Sequence, residues 1–186
     1  MYKDESLKKY LDDLAAKLPA PGGGSAAAFN AALGTGLISM VINFTLGKPK
    51  YAEYEEELTV LLEKSERLRA EFLKLVDLDV TAYKSKDLKE CLNVPLLVCR
   101  LCQEAIELCP GLITKGNINL ISDVACAAIL LEAAFAAALF NVGINLKFIG
   151  DKELTASLRK ELSIKEEAIK KIRMDTEEKV GKIIRG

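Results

Sequence analysis

The sequence predicts an all-α fold, an up-and-down bundle of about six helices, two of them long and alanine-rich. Three observations predict it. Apolar residues recur at three- and four-residue spacing over nearly the whole chain, the mark of helices with one buried stripe, and no run alternates as a strand would. The stretches Ser25 to Leu46 and Asn119 to Ile149 are alanine-rich and almost free of charge, as the central helices of a bundle are. The connections are short, which makes successive helices antiparallel. At 186 residues, 50% apolar and 28% charged, the chain has the make-up of one domain, residues 1–186, around one core.

The first helix is expected over residues 4–18, behind Asp4 as a cap, with Leu7, Tyr10, Leu11, Leu14 and Leu18 on one face. Pro19 to Gly24 breaks it, and the second helix runs from Ser25 to Leu46 until Gly47-Lys48-Pro49 ends it. A long third helix follows, Tyr51 to Leu92, with Leu58, Leu61, Leu62, Leu68, Phe72, Leu75 and Val76 as its stripe. Pro95 suits the first turn of a fourth helix reaching Ile113, disturbed near Pro110, and Gly116-Asn117 closes it. The fifth runs from Asn119 to Ile149, and the sixth, capped by Asp151, continues to the C-terminus with mixed charges on a solvated face.

From Leu18 to Gly47 there is no charge, long enough to raise the question of a membrane span. The two prolines and three glycines at its start, and Asn30, Ser39 and Asn43 within it, argue for a buried helix among close neighbours instead. The 26 basic and 27 acidic residues nearly cancel and form no block, so neither nucleic acid nor a membrane is an expected partner. The chain has no histidine, which excludes a Ser-His-Asp triad, a Cys-His pair and an imidazole-ligated zinc site; no metal is expected. Five cysteines in apolar sequence, with no secretory signal, read as reduced, buried thiols of a cytoplasmic protein. Cys99 and Cys102 form a lone C-x-x-C inside an apolar helical run, where filling the core is the reading over redox chemistry.

Acid-base chemistry must then come from a carboxylate, lysine, tyrosine or thiol. Asp79 lies seven residues after Phe72 and three after Val76, on the apolar stripe of the third helix, whereas Asp77 falls off it. Desolvation at that place raises a carboxyl's pKa toward neutrality, as proton exchange requires; a buried aspartate satisfied by its neighbours is the other reading. Gly22, Gly23, Gly24 and Ser25 open the second helix, where N–H groups can converge on an anion or simply turn a corner. Asp123 and Asn141 are 18 residues apart, five turns of about 3.6 residues, and share a face that Asn145 extends; hydrogen bonds between helices or a pocket wall explain such a polar stripe.

Antiparallel topology sorts these residues to two ends. One end receives Gly22 to Ser25, Asp79, Tyr83, Asn141 and Asn145; the other receives Gly47, Lys48, Gly116, Asn117, Ser122 and Asp123. Asp123 and Asn141 are then about 27 Å apart along one helix, too far for one compact site in one subunit. Two antiparallel subunits would bring opposite ends together, which predicts a homodimer with sites at its interface.

Read in order, Pro21-Gly22-Gly23-Gly24-Ser25-Ala26-Ala27-Ala28, Gly47-Lys48, Asp79-x-x-Ala82-Tyr83, Pro95, Gly116-Asn117, Ser122-Asp123, Asn141-Val142, Asn145-Leu146 and Asp151 resemble the cyclodeaminase/cyclohydrolase family. That family includes the C-terminal domain of formiminotransferase-cyclodeaminase and stand-alone methenyltetrahydrofolate cyclohydrolases. The resemblance implies an all-helical dimer acting on a tetrahydrofolate derivative as substrate, with no further cofactor. In the cyclodeaminase reaction N10 of 5-formiminotetrahydrofolate attacks the formimino carbon, the ring closes to 5,10-methenyltetrahydrofolate, and ammonia leaves. The family's acidic catalytic position falls on the Asp-x-Asp pair, and the stripe selects Asp79. For such a substrate, chemistry suggests that Asp123 pairs with the donor edge of the pterin and Asn141 and Asn145 supply amides, while Lys48 and the glycines hold the glutamate carboxylates. Tyr83, Asn117 and Ser122 complete the expected substrate contacts. The segment Lys84 to Val94 is shorter than its counterpart in the family. The cyclohydrolase, which attacks the same carbon with water, and a non-catalytic helical folate-binding or oligomerisation module stand as alternatives.

Overall fold

A computed structural model describes residues 1–186. It has seven α-helices and no strand: α1 (Leu7–Ala15), α2 (Gly23–Asn43), α3 (Glu55–Ser85), α4 (Leu88–Ile106), α5 (Cys109–Lys115), α6 (Ile121–Ile149) and α7 (Lys152–Arg185). Short 3-10 turns precede α1 (Tyr2–Asp4), α3 (Pro49–Tyr54) and α6 (Ile118–Leu120).

Four of these helices form a square. α2 lies antiparallel to α6, with Gly23 beside Asn141 and Gly34 beside Leu131. It also lies antiparallel to α3, where Ser25 meets Val76 and Ser39 meets Ser65. α4 closes the square, with Cys91 bonded to Ala82 of α3 and to Asn145 of α6. α7 packs outside, mainly on α6. The expected up-and-down bundle is therefore present. Small residues let the central pair approach: a Cβ on Gly34 would lie 3.1 Å from the Ala127 carbonyl oxygen.

The α2 and α6 helices are long and apolar enough to cross a membrane by length and composition. Here they are the two middle helices of the bundle, and Ala28, Ala31, Ile38, Ala127, Leu131 and Ala134 on them have no exposed surface. The C-x-x-C thiols are likewise core: Cys99 and Cys102 are fully buried, and burial pushes the Cys99 thiol up to about 12. Two thiols depart from the expectation of burial: Cys126 lies on the outward face of α6, and Cys91 is half-buried.

Several boundaries differ from the periodicity reading, each for a local reason. α1 is capped by Ser6, whose hydroxyl accepts from the Lys9 N–H at 3.1 Å, because Asp4 belongs to the preceding 3-10 turn. The second helix begins at Gly23 and ends at Asn43. The long third helix stops at Ser85 rather than Leu92: Lys86 takes a left-handed conformation (φ 61°), and Asp87 caps α4 by accepting from the N–H groups of Lys89 and Glu90. Pro95 consequently sits in the interior of α4 instead of its first turn. The predicted fourth helix is divided at Glu107–Leu108, and Pro110 falls in the first turn of α5, where its missing N–H has no intrahelical role. Asp151 caps α7 as expected, accepting from Leu154 N–H at 2.9 Å.

Candidate functional site

At one end of the square a cleft of about 290 Å³ opens between the start of α2, the end of α3, the start of α4 and the end of α6. Gly22, Gly23, Gly24, Asp79, Tyr83, Asn141 and Asn145 all line it. Residues separated by more than a hundred positions in sequence thus meet as the antiparallel topology requires.

Asp79 is held against the open end of α2. The first N–H groups of a helix have no partner in the helix itself. One of them, on Ser25, donates to Asp79 Oδ2 at 2.9 Å. A Cβ on Gly24 would overlap Asp79 Oδ1, so the carboxylate can occupy this place only because residue 24 has no side chain. Gly23 lies beside Asn141, where a Cβ would meet the amide only at van der Waals distance, 3.4 Å from Nδ2. The glycine corner therefore does receive an anion, and that anion is the chain's own carboxylate. Two effects compete at Asp79: burial raises its pKa above the usual carboxylate range, and the Ser25 N–H pulls it back. Burial is the larger.

The Ser25 hydroxyl faces the core. It donates to the Val76 carbonyl at 3.0 Å and lies 3.2 Å from the hydroxyl of Tyr10, a buried residue of α1. Ser25 thus locks the start of α2 to the turn of α3 that carries Asp79, with its hydroxyl engaged inside the protein.

Asp77 corrects the stripe reading in part. It faces away from the Asp79 cleft, as two residues of helix (about 200°) dictate, yet it is buried rather than solvated. The N-terminal 3-10 turn folds over it, and its carboxylate accepts from the backbone N–H groups of Tyr2 at 2.6 Å and Lys3 at 3.4 Å. A wider and shallower hollow of about 390 Å³ lies on that side. Its carboxylate already has two donors, whereas Asp79 has one.

The asparagines of α6 differ from each other. Asn141 Nδ2 donates back to the Ala137 carbonyl at 3.0 Å on its own helix. Asn145 Nδ2 donates across the cleft wall to the Cys91 carbonyl at 2.6 Å. Tyr83, one turn after Asp79, is exposed at the rim.

The second predicted cluster lies at the far end of α2 and α6, so Lys48 and the glycine corner cannot serve one site within one subunit: the 21 residues of α2 put about 30 Å between them. Asn117 there is buried and fully engaged. Its N–H donates to Thr45 Oγ1 at 2.8 Å, its Nδ2 to the Phe44 carbonyl at 3.1 Å, and its Oδ1 accepts from Asn119 N–H at 3.2 Å. These contacts join the end of α2 to the start of α6. Lys48 and Ser122 are exposed and Asp123 half-buried, and none of their side chains is hydrogen-bonded.

Cys91, Ile144 and Phe148 also wall the cleft, and periodicity did not single them out. Two signals were present. Ile144 and Phe148 continue the helical face of Asn141 and Asn145, and Cys91 stands four residues before a proline.

Known proteins resemble the chain over most of its length. The chain matches the formiminotransferase-cyclodeaminase family over residues 6–86 and 84–164. It is 38% identical to a methenyltetrahydrofolate cyclohydrolase of Methylorubrum extorquens, across 87% of this chain and 89% of the relative. It is 29% identical to the formimidoyltransferase-cyclodeaminase of Rattus norvegicus over 86% of this chain, which spans only 34% of that longer protein. The crystal structure of a formiminotetrahydrofolate cyclodeaminase from Thermotoga maritima superposes with a TM-score of 0.93 at 30% identity, covering 99% of this chain and 100% of that one.

Proposed function

The chain belongs to the formiminotransferase-cyclodeaminase family, a family of folate one-carbon enzymes, and from that premise we propose that it is a formiminotetrahydrofolate cyclodeaminase in which Asp79 moves the proton. The observation that carries the reading is a half-buried carboxylate lining a cleft beside the open end of a helix, with burial raising its pKa. The formimino group enters protonated, as an amidine is near neutrality; N10 attacks its carbon and loses a proton to Asp79, and the same carboxyl then delivers that proton to the departing NH2, which leaves as ammonia while the cationic 5,10-methenyl bridge closes. Proton transfer suffices, and a carboxyl poised above its ordinary range serves both directions. Tyr83 and Asn141 bound the substrate, and the glycine corner keeps bulk away from the carboxylate.

A second reading is favoured by the relative with 38% identity and near-complete mutual coverage: the same cleft acting as a methenyltetrahydrofolate cyclohydrolase, with Asp79 taking its proton from water. An ultraviolet time course with purified protein separates the two. Formation of the methenyl chromophore from 5-formiminotetrahydrofolate together with ammonia is the expected result. Loss of that chromophore from added 5,10-methenyltetrahydrofolate, with no action on the formimino compound, would replace it by the cyclohydrolase. Action on neither contradicts both.

The enzyme so proposed is a homodimer. The outward face of α6 is an apolar seam at heptad-like spacing, with Cys126, Ile129, Ala133, Ala137, Phe140 and Ile144 exposed. Phe140 is 82% exposed, so the seam lacks a cover in the single chain. A second copy paired antiparallel about Ala133 would set Asp123 of the partner subunit opposite Gly143, between Asn141 and Asn145. The otherwise unbonded Lys48, Ser122 and Asp123 would then each face a cleft. Sedimentation of the wild type as a dimer, and of Ala133→Glu as a monomer without turnover, is the expected outcome; a monomeric, active wild type would refute it.

A further inference from the structure

A proline inside α4 and an asparagine on α6 complete one another. Residue 95 of a regular helix would donate its N–H to the carbonyl of residue 91, but Pro95 has no N–H, and its ring crowds that carbonyl out of line. The Cys91 carbonyl nevertheless has a partner, Asn145 Nδ2 at 2.6 Å. The Cys91 thiol in turn donates to the Ala82 carbonyl at 3.3 Å. Ala82 is three residues beyond Asp79, in the last turns of α3, where the Lys86 N–H that would normally reach its carbonyl bonds to Tyr83 instead and the Ser85 hydroxyl, at 2.8 Å, shares that carbonyl with the Cys91 thiol. Cys91 is therefore tied to the Asp79 helix by its sulfur and to the Asn145 helix by its oxygen, and all three residues line the cleft or its wall.

We infer that Pro95 and Asn145 are positioning residues: the proline withholds one N–H so that the Cys91 carbonyl is free to anchor the Asn145 amide and set the width of the cleft. A carbonyl can only accept, so this contact also fixes which way the amide points. Nδ2 turns to the wall, and Oδ1 is left as the acceptor available to a ligand. The kinetic half of this inference rests on the folate-enzyme reading, while the structural half stands without it.

The test is a double-substitution cycle of Asn145→Ala and Pro95→Ala, read by thermal unfolding and by KM and kcat on the folate substrate. In the wild-type background Asn145→Ala leaves the Cys91 carbonyl without a donor and is expected to lower the melting temperature by about 2–6 °C. In the Pro95→Ala background an in-helix N–H reaches that carbonyl, and the same substitution should cost less than half as much. Equal losses in both backgrounds would overturn the inference. Pro95→Ala by itself releases the asparagine to a competing donor and is expected to raise KM roughly two- to tenfold, with kcat little changed; an unchanged KM would overturn the positioning role. If Asn145→Ala alone does not fold, recovery of folding in the double variant supports the brace, and failure of both contradicts it. Coupling in stability from a wild type that turns over no folate supports the brace and overturns the functional reading instead.

Discussion

Asp77 and Asp79 stand two residues apart on α3 and live in opposite surroundings. Asp77 lies beneath the N-terminal turn and receives two backbone N–H groups, from Tyr2 and Lys3. Asp79 faces the cleft, receives one, from Ser25, and has its remaining oxygen over a glycine. Asp77 is buried and Asp79 only half-buried, so burial alone does not make a site. What distinguishes them is unused capacity: a carboxylate with its acceptors filled holds a segment in place, and one left partly bare in a cleft can exchange a proton with a ligand.

The largest effect expected from this contrast is on turnover. Asp79→Asn keeps the shape and an acceptor for Ser25 but cannot take a proton, so kcat should fall by about 10²–10⁴-fold, the usual worth of a general acid-base. Asp77→Asn should leave kcat within the same order of magnitude. Steady-state assays of the two purified variants check this, and similar losses in both would erase the distinction. Next comes Gly24→Ala. Its methyl group would collide with Asp79 Oδ1, and displacing the carboxylate by about 1 Å is expected to cost on the order of 10²-fold in kcat while substrate-free folding persists.

The smallest effect, and the sharpest in sign, is on stability. The folded-state pKa of Asp79 is raised by burial, so the native protein holds that proton more tightly than the unfolded chain does. Stability contributed by this group is then full below the ordinary Asp range and declines as pH rises from the unfolded toward the folded pKa. Asp79→Asn should remove that decline and make the protein more stable than wild type at neutral pH. Asp77→Asn weakens the two contacts to the Tyr2 and Lys3 N–H groups and should lower the melting temperature, by roughly 3–8 °C. Unfolding scans at neutral pH would show the two shifts with opposite signs; shifts of the same sign would break the comparison.

Much of this arrangement was legible in the sequence because it follows from period and topology. The 3.6-residue stripe pointed Asp79 inward, and antiparallel order alone gathered Gly22–Gly24, Tyr83, Asn141 and Asn145 at one end. The remainder depended on contacts that periodicity does not encode. Asp77 is buried by an N-terminal turn with no helical pattern of its own. The end of α3 is marked by Lys86 in a left-handed conformation, where a lysine gives no warning that a glycine would have given. In sequence Asn117 reads as the close of a helix and a substrate contact, and only the meeting of Phe44, Thr45 and Asn119 around it reveals a joint. Cys91 is a wall residue because a proline four positions later frees its carbonyl, a relation between two helices that one helix's pattern cannot show.

The central claim is that desolvation outweighs the helix end at Asp79. Its most direct test is a carbon-13 titration of the aspartate carboxyls in ligand-free protein, with the Asp79 signal identified by its loss in Asp79→Asn. A midpoint above the ordinary value of 3.8 is predicted. A midpoint at or below that value would mean that the Ser25 N–H and the α2 terminus hold Asp79 as a permanent anion, and would contradict its assignment as the group that moves the proton.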